Sequence, residues 1–259
     1  MACLNCKLCR NKIELGLTSI PVCCKIITEY YEREAQIHLM KPLQEKAYEY
    51  IKNLILEESF QYNTIYSETK ISKEIGVSRT PMRDALRRLE QERYIDIIPS
   101  KGFCIHQMAE QDIIETFQIR SAIEGYCTAQ ITKEYQEENS QKLIRELEFL
   151  LEKQKKILED TGSISSFVEY DNKFHIEIVS HFNNQTFNEL FGSYLFQIKQ
   201  LAILSLGHPG RMAETIEEHT AILQAMKSGD LTGIYPITMK HMETPKGINL
   251  SDFIAGRLN

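Results

Sequence analysis

Four residues in the second half of the chain are of the types that hold metal ions. Asp171 and His175 lie four positions apart, so on a helix they share a face, and Phe167, Phe174 and Ile178 mark that face as an inward one. His219 sits among Ile216, Ile222, Leu223 and Met226, and His241 lies beside Met239 and Met242. A carboxylate and three imidazoles converging inside an apolar bundle would take a divalent ion such as Zn²⁺, Ni²⁺ or Mn²⁺. Each of the four also reads as a hydrogen-bonded core side chain, and spacing alone does not bring three separate helices together. Arg120 is a candidate to bind a ligand carboxylate through two parallel hydrogen bonds. Its alternative is an ion pair with Glu124, one helical turn on.

A second constellation lies earlier. Ser78, Arg79, Thr80 and Arg83 open a segment whose Met82, Ala85, Leu86 and Leu89 repeat at helical spacing, so the basic and hydroxyl side chains fall on the opposite face. Arg can bond a guanine edge at two positions, and Ser and Thr can donate to phosphates. Lys101 and Gly102 follow at a turn, where a glycine lets backbone approach a groove and a lysine meets a phosphate. Taken alone, the arginines at 79, 83, 87 and 88 also read as a solvated helix face. The stretch Lys70 to Arg88 carries six basic and two acidic side chains, whereas residues 107 to 259 carry 14 basic and 22 acidic. A small basic patch on a protein of net charge −6 suits one DNA-contacting surface.

Five of the seven cysteines fall in the first 24 residues. Cys3, Cys6 and Cys9 have a C-x2-C-x2-C spacing, but the next thiols, Cys23 and Cys24, are adjacent, an awkward set for a closed zinc site. Residues 1–39 therefore read as an irregular extension. The thiols form no secreted disulfide framework, which points to a reducing cytoplasm. Glu14 interrupts the only apolar stretch near the start, so no secretory signal is expected, and no run of about 18 apolar residues suggests a membrane span.

The elements that must position these residues fall into two domains. Residues 40–106 read helix, helix, turn, helix and hairpin. The first helix has Leu43, Ala47, Tyr50, Ile51, Leu54 and Ile55 on one face. Ser67 caps a second helix that ends at Ile75, Gly76-Val77 makes the turn, and the third helix starts near Ser78. Tyr94–Ile98 and Phe103–Ile105 flank Pro99-Ser100-Lys101-Gly102 as two strands. Residues 107–245 read as all helical, with helices over Glu110–Tyr135, Ser140–Glu159, Ser163–Phe182, Thr186–Leu206, Met212–Ser228 and Leu231–Met242. Pro236 falls inside the last of these, where it should kink the axis and disturb the aim of His241. Residues 246–259 read as a tail. The fold class is mainly α: a winged helix-turn-helix followed by a helical bundle.

The run from Ile75 to Glu90 resembles the central signature of the GntR family of winged-helix regulators, and Pro99-Ser100-Lys101-Gly102 is similar to that family's wing tip. The resemblance implies base contacts from Arg79 and Arg83, a phosphate contact from Thr80 and a groove contact from the backbone of Gly102. Thr69 stands where an arginine is common, and Glu58 to Thr64 replaces a Gly/Pro-rich connection. Residues 110–242 resemble the FCD effector domain of the FadR branch. Phe117 to Glu124, Asp171-Asn172-Lys173-Phe174-His175, His219, and Gly229-Asp230 followed by His241 carry that likeness. It implies that Asp171, His175, His219 and His241 ligate a divalent metal that helps hold a small carboxylate effector.

The expectation is a metabolite-responsive repressor or activator, a homodimer on a short palindromic DNA operator with no membrane partner. The alternative is a metal-dependent hydrolase whose winged helix is an interaction module, although the chain has no H-E-x-x-H motif.

Overall fold

The computed structural model describes residues 43–57 and 59–257. The thiol-rich extension 1–39, and with it the reading of Cys3, Cys6 and Cys9, lies outside them. The chain divides into two units, one running up to Glu90 and including Ile95–Ile105, the other comprising Gln91–Tyr94 and everything from His106 on.

Among the described residues, the first unit holds three helices and a hairpin: α1 (residues 43–56), α2 (Glu68–Ile75), α3 (Arg79–Gln91, which runs one residue into the second unit), β1 (Ile95–Ile98) and β2 (Gly102–Ile105). Ala47, Tyr48, Ile51 and Ile55 of α1 are buried. Tyr48 thus takes the inward place expected of Tyr50, whose hydroxyl instead donates to Glu74 on α2. Ser67 caps α2, its Oγ accepting from the Lys70 N–H, and Gly76 ends it at φ 71°, a left-handed conformation that glycine adopts without strain. In α3, Met82, Ala85 and Leu89 are fully buried. Burial of such side chains contributes roughly 1.5–3 kcal/mol for each large one, which fixes which face of α3 is left outside.

The strands pair antiparallel with Ile95 opposite Ile105 and Ile98 opposite Gly102. One further link has no signature in residue spacing. Tyr66 pairs with Phe103 through two backbone hydrogen bonds of 2.7 and 3.1 Å, joining the entry of α2 to the wing. Phe60 packs against Tyr66 in a tilted arrangement with ring centroids 4.2 Å apart and meets Phe103 edge-on. Aromatic packing occupies the connection that leads into α2.

The second unit is a bundle of six helices: α4 (Glu110–Lys133), α5 (Glu138–Asp160), α6 (Ile164–Ser180), α7 (Gln185–Leu206), α8 (Arg211–Ser228) and α9 (Ile234–Ile254). Ser163 and Asn184 cap α6 and α7 with side-chain oxygens, and Gly229 closes α8 at φ 67°. The main core joins Ile123, Cys127 and Ile131 of α4 to Leu147 and Leu151 of α5, Phe174 of α6 and Met226 of α8.

Two expectations about the end of the bundle are corrected. Pro236 is the third residue of α9, inside the first turn, where a missing N–H costs no hydrogen bond, so it does not kink the axis ahead of His241. Residues 246–254 are not a tail. The helix runs on to Ile254 through an interior proline, Pro245, and Asn249 and Asp252 are buried. The Asn249 amide donates to the carbonyls of Leu201 and Pro245, which ties this extension to α7.

Candidate nucleic-acid interface and metal centre

In the first unit, α2, α3 and the hairpin enclose an open groove of about 480 Å³. Its walls include Arg79, Arg83, Arg87 and Lys101 against one acid, Glu68. Ser78 and Thr80 lie exposed at the start of α3 beside Arg79. Arg83 Nε bonds Glu68 Oε1 at 3.1 Å, an exposed pair of the kind worth about 0–1 kcal/mol, so Arg83 is oriented yet easily released. The arginines do not form one uniform face. Arg88 turns to α1, lying 3.7 Å over the Tyr48 ring and pairing with Glu45. Arg87, absent from the sequence-based set, lines the groove, as do Ser67 and Thr69.

Gly102 has a reason for its identity beyond access to a ligand. Its φ is 139°, and a Cβ there would lie 2.0 Å from the Tyr66 carbonyl oxygen. The wing tip is seated backbone against backbone.

In the second unit, the three histidines come together from α6, α8 and α9. His175, His219 and His241 are all buried and offer ring nitrogens within 4.8 Å of one another. Each is gripped from behind at Nδ1: His175 by Glu124 Oε2 at 2.5 Å, His241 by Glu218 Oε2 at 2.7 Å, and His219 by Gln154 Oε1 at 3.0 Å. An acceptor on Nδ1 holds the proton there and leaves the Nε2 lone pair free, which is how proteins orient metal-binding imidazoles. The Nε2 atoms of His175 and His241 are 3.3 Å apart, and that of His219 is buried with no hydrogen-bond partner. Asp171 Oδ1 stands 3.7 Å from His219 Nε2. The three imidazoles form the cluster within ligating reach, and Asp171 stands at its edge beside His219; three imidazoles suit a divalent first-row ion.

For His219 and His241 the electrostatics favour the neutral ring. Burial pushes the His219 imidazole well below the usual histidine range, with its two histidine neighbours adding to the effect. Burial also lowers His241, against the opposing pull of Glu218. Burial would raise the Glu124 carboxyl, but Arg120 and His175 outweigh it and hold it at about 2. Glu218 is likewise held at about 2, with His241 and Arg211 overcoming burial.

Arg120 adopts the ion pair that was its alternative reading, Nε to Glu124 Oε1 at 2.8 Å. It also lines a cavity with Asp171, His175 and His241, and its Nη2 is buried without a partner. Glu124, Gln154, Glu218 and Arg211 were not singled out as site residues. Only Glu124 carried a signal, its i+4 spacing from Arg120.

Residues 43–105 match the family described as bacterial regulatory proteins of the gntR family, and residues 115–244 match the FCD domain. The chain is 26% identical over 180 residues to the HTH-type transcriptional regulator YdhC of Bacillus subtilis, covering 70% of this chain and 79% of the relative. It is 20% identical over 210 residues to the HTH-type transcriptional repressor RspR of Escherichia coli, covering 81% and 90%. The fold is shared with McbR/YncC of Escherichia coli at a TM-score of 0.61 and 21% identity, over 82% of this chain and 98% of that one. These relatives are transcriptional regulators rather than enzymes, which sets aside the metal-hydrolase alternative. The chain belongs to the GntR family of bacterial transcriptional regulators, in the branch that carries an FCD domain.

Proposed function

We propose that this regulator binds its operator through Ser78, Arg79, Thr80, Arg83, Lys101 and Gly102, and that a small carboxylate metabolite, held near a divalent ion, controls that binding. Arg79 and Arg83 would read base edges, Ser78, Thr80 and Lys101 would meet phosphates, and Gly102 would bring the wing backbone to the groove. Asp171, His175, His219 and His241 would hold Zn²⁺, Ni²⁺ or Mn²⁺. The ion would supply a positive centre for the effector's oxygens, and Arg120 would bond the same carboxylate. The protein would act as a homodimer on a short palindrome, since two-fold proteins read two-fold sites. Repression is the favoured direction, because RspR bears that description. Effector binding would shift the population between DNA-competent and incompetent arrangements.

The observation that carries the ligand-control reading is the convergence of three buried imidazoles, each already engaged at Nδ1 by a carboxylate or amide oxygen. The deciding experiment pairs elemental analysis of the purified protein with operator binding titrated by small acids. About one divalent ion per chain, and an acid that changes operator affinity only in the loaded protein, are expected. A chain that stays metal-free after reconstitution and still answers the same acid overturns the reading.

A further inference from the structure

The groove between α2, α3 and the wing is lined by cationic side chains with one exception. Arg79, Arg83 and Arg87 lie four residues apart along α3 and so share one face of it, and Lys101 joins them from the wing tip. Among the lining residues the acid is Glu68. A carboxylate there opposes the phosphate contacts that supply much of a DNA-binding surface's affinity. An acidic side chain in the first turn of a helix is an ordinary stabilising feature, and α2 begins at Glu68. That accounts for a carboxylate, but not for the partner it takes.

The partner is Arg83. Glu68 Oε1 accepts from Arg83 Nε at 3.1 Å, with the Glu68 side chain 22% exposed and the Arg83 side chain 63% exposed. The acid is the fixed member of the pair. Its neighbour Ser67 caps α2, and Tyr66, two residues back, is bonded through its backbone to Phe103 of the wing. A guanidinium offers paired donors along two edges, either Nε with one terminal nitrogen or the two terminal nitrogens together. Glu68 occupies the first edge. Among the described residues nothing bonds the second, and that edge is a fork that matches O6 and N7 of guanine.

The same bond sets a penalty. On DNA with no guanine in reach, Arg83 has two choices. It can stay with Glu68 and forgo a phosphate, or swing to a phosphate and bare a carboxylate beside the polyanion. The first loses a contact and the second meets like-charge repulsion. In water the pair adds little to the stability of the folded chain, as exposed pairs do, so its effect falls on the choice of DNA.

We propose that Glu68 is a specificity-determining residue of the operator contact: it holds Arg83 end-on for a guanine and penalises registers in which Arg83 serves a phosphate. This rests on the operator reading above and adds to it a residue that weakens binding to DNA in general and so sharpens the choice of sequence.

The test starts from a pool of duplexes with a randomised core, from which the full-length wild type selects its preferred sequence. Wild type, Glu68→Gln, Arg83→Ala and the double variant are then titrated with the selected duplex and with the unselected pool, by fluorescence anisotropy over a salt series. Glu68→Gln is expected to bind the pool about threefold or more tightly than wild type, with a salt slope steeper by about 0.9, the mark of one further phosphate contact. Its ratio of selected to pool affinity is expected to fall at least about fivefold, the low end of what one bidentate base contact discriminates. Adding Glu68→Gln to Arg83→Ala is expected to cost no further selectivity, since the acid acts through the arginine. A Glu68→Gln protein with the wild-type ratio overturns the proposal. So does one that loses affinity for selected duplex and pool alike at an unchanged slope, which is the result of a purely structural role, and so does an equal loss of selectivity with and without Arg83. A wild type that enriches no sequence overturns the operator reading itself, and the selection step separates that failure from the others. The melt of each variant is recorded. Where Glu68→Gln does not fold, Glu68→Ala replaces it and the same outcomes decide.

Discussion

The Nε2 atoms of His175 and His241 face each other at 3.3 Å while both Nδ1 atoms are engaged by carboxylates. With the protons held on Nδ1, neither Nε2 has a hydrogen to give, so two lone pairs meet in a buried space. A cation bound by both relieves that contact. His175→Ala and His219→Ala should each remove most of the bound metal while leaving operator DNA binding intact, and His241→Ala should do the same. Elemental analysis beside a DNA mobility assay checks this.

Removing the ion should destabilise the helical domain. A metal at 100 times its dissociation constant adds about 2.7 kcal/mol to the folded state, so chelation should lower the melting temperature by several degrees, on the order of 5–10 °C. Re-addition of zinc should restore it. A melt indifferent to both treatments contradicts a site built from folded-state geometry.

Gln154 should behave as a positioning residue. Its carbonyl oxygen accepts from His219 Nδ1 at 3.0 Å. Gln154→Leu should weaken metal affinity by about 10–100-fold, the usual effect of losing an outer partner, without abolishing binding. The readout is competition with a chromophoric chelator.

On the DNA side, the arginines should separate by role. Arg79→Ala and Arg83→Ala should each cost about 1–3 kcal/mol of specific binding and relax selectivity. Lys101→Ala should weaken specific and random DNA alike and reduce the salt slope by about one. Arg88→Ala should lower stability and keep selectivity, because Arg88 packs on Tyr48 and pairs with Glu45. Fluorescence anisotropy over a salt series distinguishes these outcomes.

Cys127 should be inert in the native protein. Burial and the nearby Glu124 charge push its thiol up to about 12, so at pH 8 only about one in ten thousand molecules would carry the reactive thiolate. Peptide mapping after iodoacetamide treatment should find Cys127 unlabelled until the chain is unfolded.

The readable parts of this chain were those governed by local rules. The α3 stripe, the Ser67 cap and the Gly76 turn follow from periodicity and backbone preference, so α2 and α3 lie where the sequence puts them. The four metal-type residues were legible by type and by family likeness. Their convergence was not, because it depends on how α6, α8 and α9 cross. The groups behind them, Glu124, Gln154 and Glu218, come from three helices whose spacing encodes no mutual contact. Arg211 read as an ordinary residue at a helix start until its guanidinium was seen buried against Glu218. The end of α9 was misjudged because sequence reasoning weighs Pro236 and Pro245 as breakers. One sits in a first turn, and the other is tolerated within a helix that Asn249 anchors to α7.

The cavity beside Arg120 and Arg211 is about 20 Å³, room for one water-sized body and too little for a whole carboxylic acid. An acid of that size would enter only when the surrounding side chains part. Binding then has a clock of its own: with rising ligand concentration, the observed association rate should climb and then level off at the frequency with which the walls part. A regulator that bound its effector this way would respond after a delay set by the protein, and brief fluctuations in metabolite level would pass before the side chains had parted.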